Sequence, residues 1–119
     1  MNKPAPPPLL VDTHAHVYLI NMPLAADAWH RPPRDASIED YVATLENHGV
    51  GHAVLAAASL FGEYSEYTLE ALARFAQLRA TVIVPPDADP AHLRQLDGKG
   101  VVGIRFHYPE KNLNAALRQ

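Results

Sequence analysis

Four apolar runs set the limits on this chain: residues 9–18 (LLVDTHAHVY), 52–59 (HAVLAAAS), 80–86 (ATVIVPP) and 101–108 (VVGIRFHY). Each is separated from the next by a polar stretch long enough for a helix, and no pair is joined by an Asn-Gly or similar hairpin turn. Parallel neighbours need crossover connections, so strict strand-helix alternation predicts a parallel sheet covered by helices. The expected fold class is α/β, built of parallel βα units with strands near 9–18, 52–58, 80–85 and 101–107.

The connecting segments carry their own signals. Residues 19–36 hold three prolines and no sustained period, and read as a long loop. Ser37 followed by Glu39 and Asp40 marks a helix start, with Ile38, Tyr41, Val42 and Leu45 as its apolar face and Gly49 or Gly51 as its stop. Ser65 opens a second helix expected to run through Arg79, with Leu69, Leu72, Phe75, Ala76 and Leu78 as apolar positions. Asp89-Pro90 is an N-cap followed by proline at the first helical position, and Gly98 closes that short helix. NLNAALRQ begins a further helix. The chain reads as a single domain, 1–119, that opens with a proline-rich segment, 1–8.

Side chains alternate across a strand. Asp12, His14 and His16 are therefore expected on one face of the first strand, with Val11, Thr13, Ala15 and Val17 on the other. In the fourth strand Val102, Ile104 and Phe106 form an apolar face for the helix layer, and Gly103, Arg105 and His107 form the opposite one. Both polar stripes lie toward the C-terminal ends of their strands, where parallel α/β folds bind ligands. Neutral imidazole is a common metal ligand, and same-face spacing lets His14 and His16 reach one ion. Asp12 is then either a group that orients one ring through its other nitrogen or a simple structural partner beneath the pair. Arg105 pointing inward needs an anion, either a substrate carboxylate or Asp12. Ser59, Glu63 and Tyr64 stand where substrate contacts arise, at or just past the end of the second strand. His30, His48, His52 and His92 read as surface or capping residues.

A net charge of −3 with scattered Lys and Arg points to no nucleic acid or anionic membrane partner. The absence of cysteine excludes disulfides and thiolate chemistry. The start MNKPAPPPLL has no apolar signal-peptide core, and no run approaches a membrane span, so a cytoplasmic protein is expected.

Taken in order, VDTHAHVY, GVGHAVLAAAS, FGEYSEYTLEAL, VIVPPDADP and GVVGIRFH resemble the N-terminal half of amidohydrolase family 2, in its 2-pyrone-4,6-dicarboxylate lactonase-like branch. The resemblance implies half of a TIM (β/α)8 barrel that hydrolyses lactones or related cyclic esters and amides; some relatives are decarboxylases. It implies that His14 and His16 bind a divalent metal such as zinc or manganese, or contact substrate in a metal-free site, and that Arg105 or His107 contacts substrate. Such a barrel takes roughly 250 residues, and the family's later-strand histidines and last-strand catalytic aspartate have no counterparts in these 119 residues. Three readings follow: a truncated hydrolase inactive alone, a half-barrel that closes with a second copy or a complementing C-terminal half, or a binding module for an acidic small molecule.

Overall fold

The computed structural model describes residues 9–107. The proline-rich start and the helix expected over NLNAALRQ lie outside the described residues. Four strands, β1 (Val11–Ala15), β2 (His52–Leu55), β3 (Leu78–Ile83) and β4 (Val101–Arg105), form one sheet in the order β1-β2-β3-β4. All three pairings are parallel. The helices α1 (Ile38–Asn47), α2 (Glu66–Arg74) and α3 (Pro90–Gly98) make the crossovers.

Local chemistry explains the helix ends. Ser37 Oγ accepts the Asp40 N–H at 3.2 Å, while Glu39 and Asp40 place negative charge at the positive end of α1. Ile38, Val42 and Leu45 fall on its buried face at helical spacing. Gly49, with φ +68, provides the left-handed residue just past its end. Asp89 caps α3 by accepting the Ala91 N–H at 2.8 Å, with Pro90 in the first turn.

The second helix is shorter than expected. It ends at Arg74, and Phe75 is already extended. Leu78 belongs to β3, where it pairs with Ala53 and is 1% exposed. A two-residue period, Leu78-Ala80-Val82, has taken over from the helical one, and pairing with β2 decides the boundary. β1 is also shorter than the 9–18 run. Beyond it Tyr18 and Ala36 form an antiparallel bridge, which closes the base of the long loop.

The core lies on one side of the sheet. Ala53, Leu55, Leu78, Ala80, Val82 and Val101 pack with Ile38, Val42, Leu45, Ala71, Leu72 and Leu96 from the helices. In β4 the register shifts after Val101, which pairs with Ala80. Val101 is buried and Val102 is 62% exposed, so the expected apolar face begins one residue earlier. Ile104 then pairs with Val82 and Arg105 with Ile83, restoring the predicted alternation. No helix among the described residues is long and apolar enough to cross a membrane.

Candidate functional site at the C-terminal ends of the strands

The geometry of the site begins with a bulge in β1. Val11 pairs with His52 and Asp12 with Ala53, yet Ala15 pairs with Leu55. Three steps on β1 thus match two on β2. Paired residues of parallel strands share a face, and Ala53 and Leu55 face the helices, so Asp12 does too. The expectation that Asp12 shares a face with His14 and His16 is overturned, because strict alternation holds only in an unbroken ladder.

The Asp12 carboxylate has a different occupation. Its Oδ2 accepts the Tyr41 hydroxyl of α1 at 2.6 Å, and its Oδ1 accepts the backbone N–H of His14 at 3.2 Å. Neither partner is an imidazole ring. Asp12 joins α1 to the bulge that precedes the two histidines. Burial, and then the hydrogen bond and charge of Asp12, push the Tyr41 hydroxyl well above the ordinary tyrosine value.

His14 and His16 come together. Their ring centroids are 5.0 Å apart with planes at 77°, and both side chains are exposed. His16 Nδ1 lies 2.8 Å from the carbonyl oxygen of Ala56. A carbonyl only accepts, so Nδ1 carries the proton and the neutral ring keeps a lone pair on Nε2. Arg105 reaches the next peptide: its Nη1 donates to Ala57 O at 2.6 Å. The alternative partner expected for Arg105, Asp12, is engaged with Tyr41 instead. The Ala57 N–H donates to Thr81 Oγ1 at 3.2 Å. Groups from β3, β4 and the residue just past β1 thus converge on two consecutive residues just past the end of β2.

His107 lies just past β4 and lines a cleft of about 400 Å³ together with Ile83, the residue that pairs with Arg105. Ser59, Glu63 and Tyr64 line the same cleft, opposite Asp27 and its neighbours from the long loop. The two loops are tied by the Ala25 N–H donating to Leu60 O at 2.8 Å. His30, His48, His52 and His92 are exposed. Sequence reasoning missed Thr81 and the Ala56–Ala57 carbonyls. The one available signal was a hydroxyl in the otherwise apolar ATVIVPP run, two residues before Ile83.

A catalytic zinc takes three protein ligands. His14 and His16 would supply two at most, Asp12 faces the helix layer, and no group of three or more His, Cys, Asp or Glu among the described residues could hold a metal ion. The donor set described is therefore short of a metal centre.

An open parallel α/β sheet with its polar groups gathered past the strand ends is the architecture of a partial α/β barrel. The amidohydrolase family model matches residues 11–116, and the chain belongs to that family. Among its relatives are two 4-sulfomuconolactone hydrolases. That of Rhizobium radiobacter is 30% identical over 109 residues, covering 89% of this chain and 36% of the relative. That of Hydrogenophaga intermedia is 30% identical over 105 residues, covering 86% and 34%. A probable 2-pyrone-4,6-dicarboxylic acid hydrolase of Acinetobacter baumannii, crystallised with citric acid, superposes with a TM-score of 0.79 at 25% identity, covering 92% of this chain and 44% of that one. A Pseudomonas putida structure described by the same activity gives 0.74 at 33% identity, covering 86% and 40%. The chain spans about a third of the length of the curated relatives it matches.

Proposed function

We propose that this chain is the substrate-binding N-terminal half of a lactone-hydrolysing barrel that takes an anionic lactone. The observation that carries this reading is the anchoring of His16 and Arg105 on the consecutive carbonyls of Ala56 and Ala57. Arg105 gives one N–H to Ala57 and keeps further donors for a ligand carboxylate. His16 keeps Nε2 to accept a proton or a hydrogen bond. The names of the relatives, a sulfomuconolactone hydrolase and a pyrone dicarboxylate hydrolase, support an acidic ring substrate.

Hydrolysis adds water oxygen to the lactone carbonyl, breaks the ring C–O bond and leaves a carboxylate and a hydroxyl. One water proton must go to a base and one proton must reach the leaving oxygen. Arg105 and the His14–His16 pair serve binding and orientation here, with His107 and the cleft beside it as a further substrate contact. The base is left to a complementing C-terminal half, since a second copy brings only the same residues. The family resemblance brings a divalent metal to such a barrel. Two imidazoles alone leave its coordination incomplete.

The test is calorimetric titration of the chain with a carboxylated lactone and with its uncharged parent, alongside a hydrolysis assay. The expected result is binding of the acid at least tenfold tighter than the parent, without turnover. Equal affinity for the two would overturn the anionic-substrate reading. The binding-module reading gains ground if a complementing C-terminal half, taken from a relative's barrel, restores no hydrolysis while acid binding persists. It is favoured by the same cationic and imidazole groups.

A further inference from the structure

We propose that Thr81 is the positioning residue of the site, setting the Ala56–Ala57 peptide whose carbonyl places His16 and which leads into the next peptide, whose carbonyl holds Arg105. This rests on the reading that those two residues form the site. Thr81 Oγ1 accepts the Ala57 N–H, Ala57 O accepts Arg105 Nη1, and Ala56 O accepts His16 Nδ1. The Ala56–Ala57 peptide lies between these bonds, so its plane fixes where the Ala56 carbonyl points and where the Ala57 N–H must find an acceptor. Ala56 and Ala57 follow the last residue of β2; the Ala56 N–H is held by Ala15 O at 2.7 Å, and past it the Ala57 N–H has Thr81 Oγ1 as its acceptor.

Thr81 is itself held by the neighbouring strand. It pairs with Gly103 of β4, and a Cβ built on Gly103 would stand 3.1 Å from Thr81 Cγ2. The missing side chain gives the threonine methyl its seat, and a seated methyl leaves the hydroxyl turned toward Ala57. The glycine in the GIRF stretch thus acts through Thr81: from Gly103 to a rotamer, from the rotamer to the Ala56–Ala57 peptide and its imidazole, and from there to the next carbonyl and its guanidinium. A valine at 81 has the same shape as threonine but cannot accept a hydrogen bond. It would leave the Ala57 N–H without its partner and remove one of the bonds that fix the plane of the peptide.

The experiment is long-range proton–nitrogen NMR of the histidine rings in the full chain, comparing wild type with Thr81→Val, Thr81→Ser and Gly103→Ala. The wild type is expected to show the neutral His16 ring mainly as the Nδ1–H form. Thr81→Ser should keep that signature, and Thr81→Val should lose it for the Nε2–H form that free imidazole side chains favour, with the other histidine rings unmoved. Gly103→Ala should shift it in the same direction by crowding the methyl. Should Thr81→Val not fold, Thr81→Ala removes the hydroxyl without adding bulk and is read the same way. A His16 signature that survives both hydroxyl-free variants overturns the proposal. A wild type with no Nδ1–H preference instead overturns the site reading beneath it, so the two failures are distinguishable.

Discussion

Tyr41 donates its hydroxyl to Asp12 across the gap between α1 and β1, 2.6 Å from oxygen to oxygen, and this bond stands behind the bulge that turns His14 and His16 away from the helices. Tyr41→Phe should destabilise the chain by about 1–2 kcal/mol, the range for a partly exposed hydrogen bond to a charged group. Because the folded state holds the Tyr41 proton more tightly than the unfolded one, its contribution is complete below the ordinary tyrosine value of 10.0 and is lost as pH rises beyond it. Urea melts at rising alkaline pH should show that decline in the wild type and a smaller one in Tyr41→Phe. Equal alkaline slopes would remove Asp12–Tyr41 from the account.

Arg105→Lys tests whether the guanidinium is needed rather than a positive charge alone. Lysine carries the charge but lacks the planar fork that could bind Ala57 O and a carboxylate together. Affinity for a carboxylated lactone should fall by roughly 10- to 100-fold, the equivalent of one charge-assisted hydrogen bond. Stability should change little, since Arg105 is only part-buried. Titration calorimetry reads the first and thermal unfolding the second.

Much of the fold is written in periodicity. The four strands, the three helices and their parallel order follow from alternation of pattern, and both capped helix starts, at Ser37 and Asp89, follow from side-chain chemistry. The boundary at Leu78 was hidden because a leucine fits either period, and only pairing with Ala53 chooses between them. The two register shifts were hidden for another reason. A bulge has no residue signature when the extra position is an ordinary Thr or Val, so Asp12 and Val102 were each assigned to the wrong side. The carbonyls of Ala56 and Ala57 were invisible in principle. Backbone acceptors carry no residue identity, and an alanine pair reads only as apolar.

Leu78→Ala measures how far the sheet depends on that contested residue. Leu78 is 1% exposed and packs with both helices and strands of the core. Truncation should cost about 2–5 kcal/mol, as for other buried leucines replaced by alanine. If Leu78 instead ended α2 on the surface, the loss would stay below about 1 kcal/mol, within the scatter of surface substitutions. Denaturant unfolding, with the slope checked for constancy, decides between the two.

The sheet has two outer strands, and they set its behaviour as an isolated chain. Within the described residues β1 pairs only with β2, and β4 only with β3. Leu10, Val11, Val102 and Ile104 lie on or beside these edges at 46%, 45%, 62% and 43% exposure. Unpaired backbone groups beside exposed apolar side chains invite another chain to pair, whereas a closed barrel leaves no edge. Light scattering on the 119-residue chain should therefore give a mass of a dimer or larger. Ile104→Lys, which places a charge on the β4 edge, should lower that mass. Association by itself supplies no catalytic base: two copies would bring together two His14–His16 pairs and two Arg105 side chains, still without the family's last-strand aspartate. Lactone hydrolysis should stay at background in both the associated and the dispersed forms. A stable monomer that turns over lactone at ordinary enzyme rates would overturn the half-barrel reading, because a base sufficient for the chemistry would then lie within these residues.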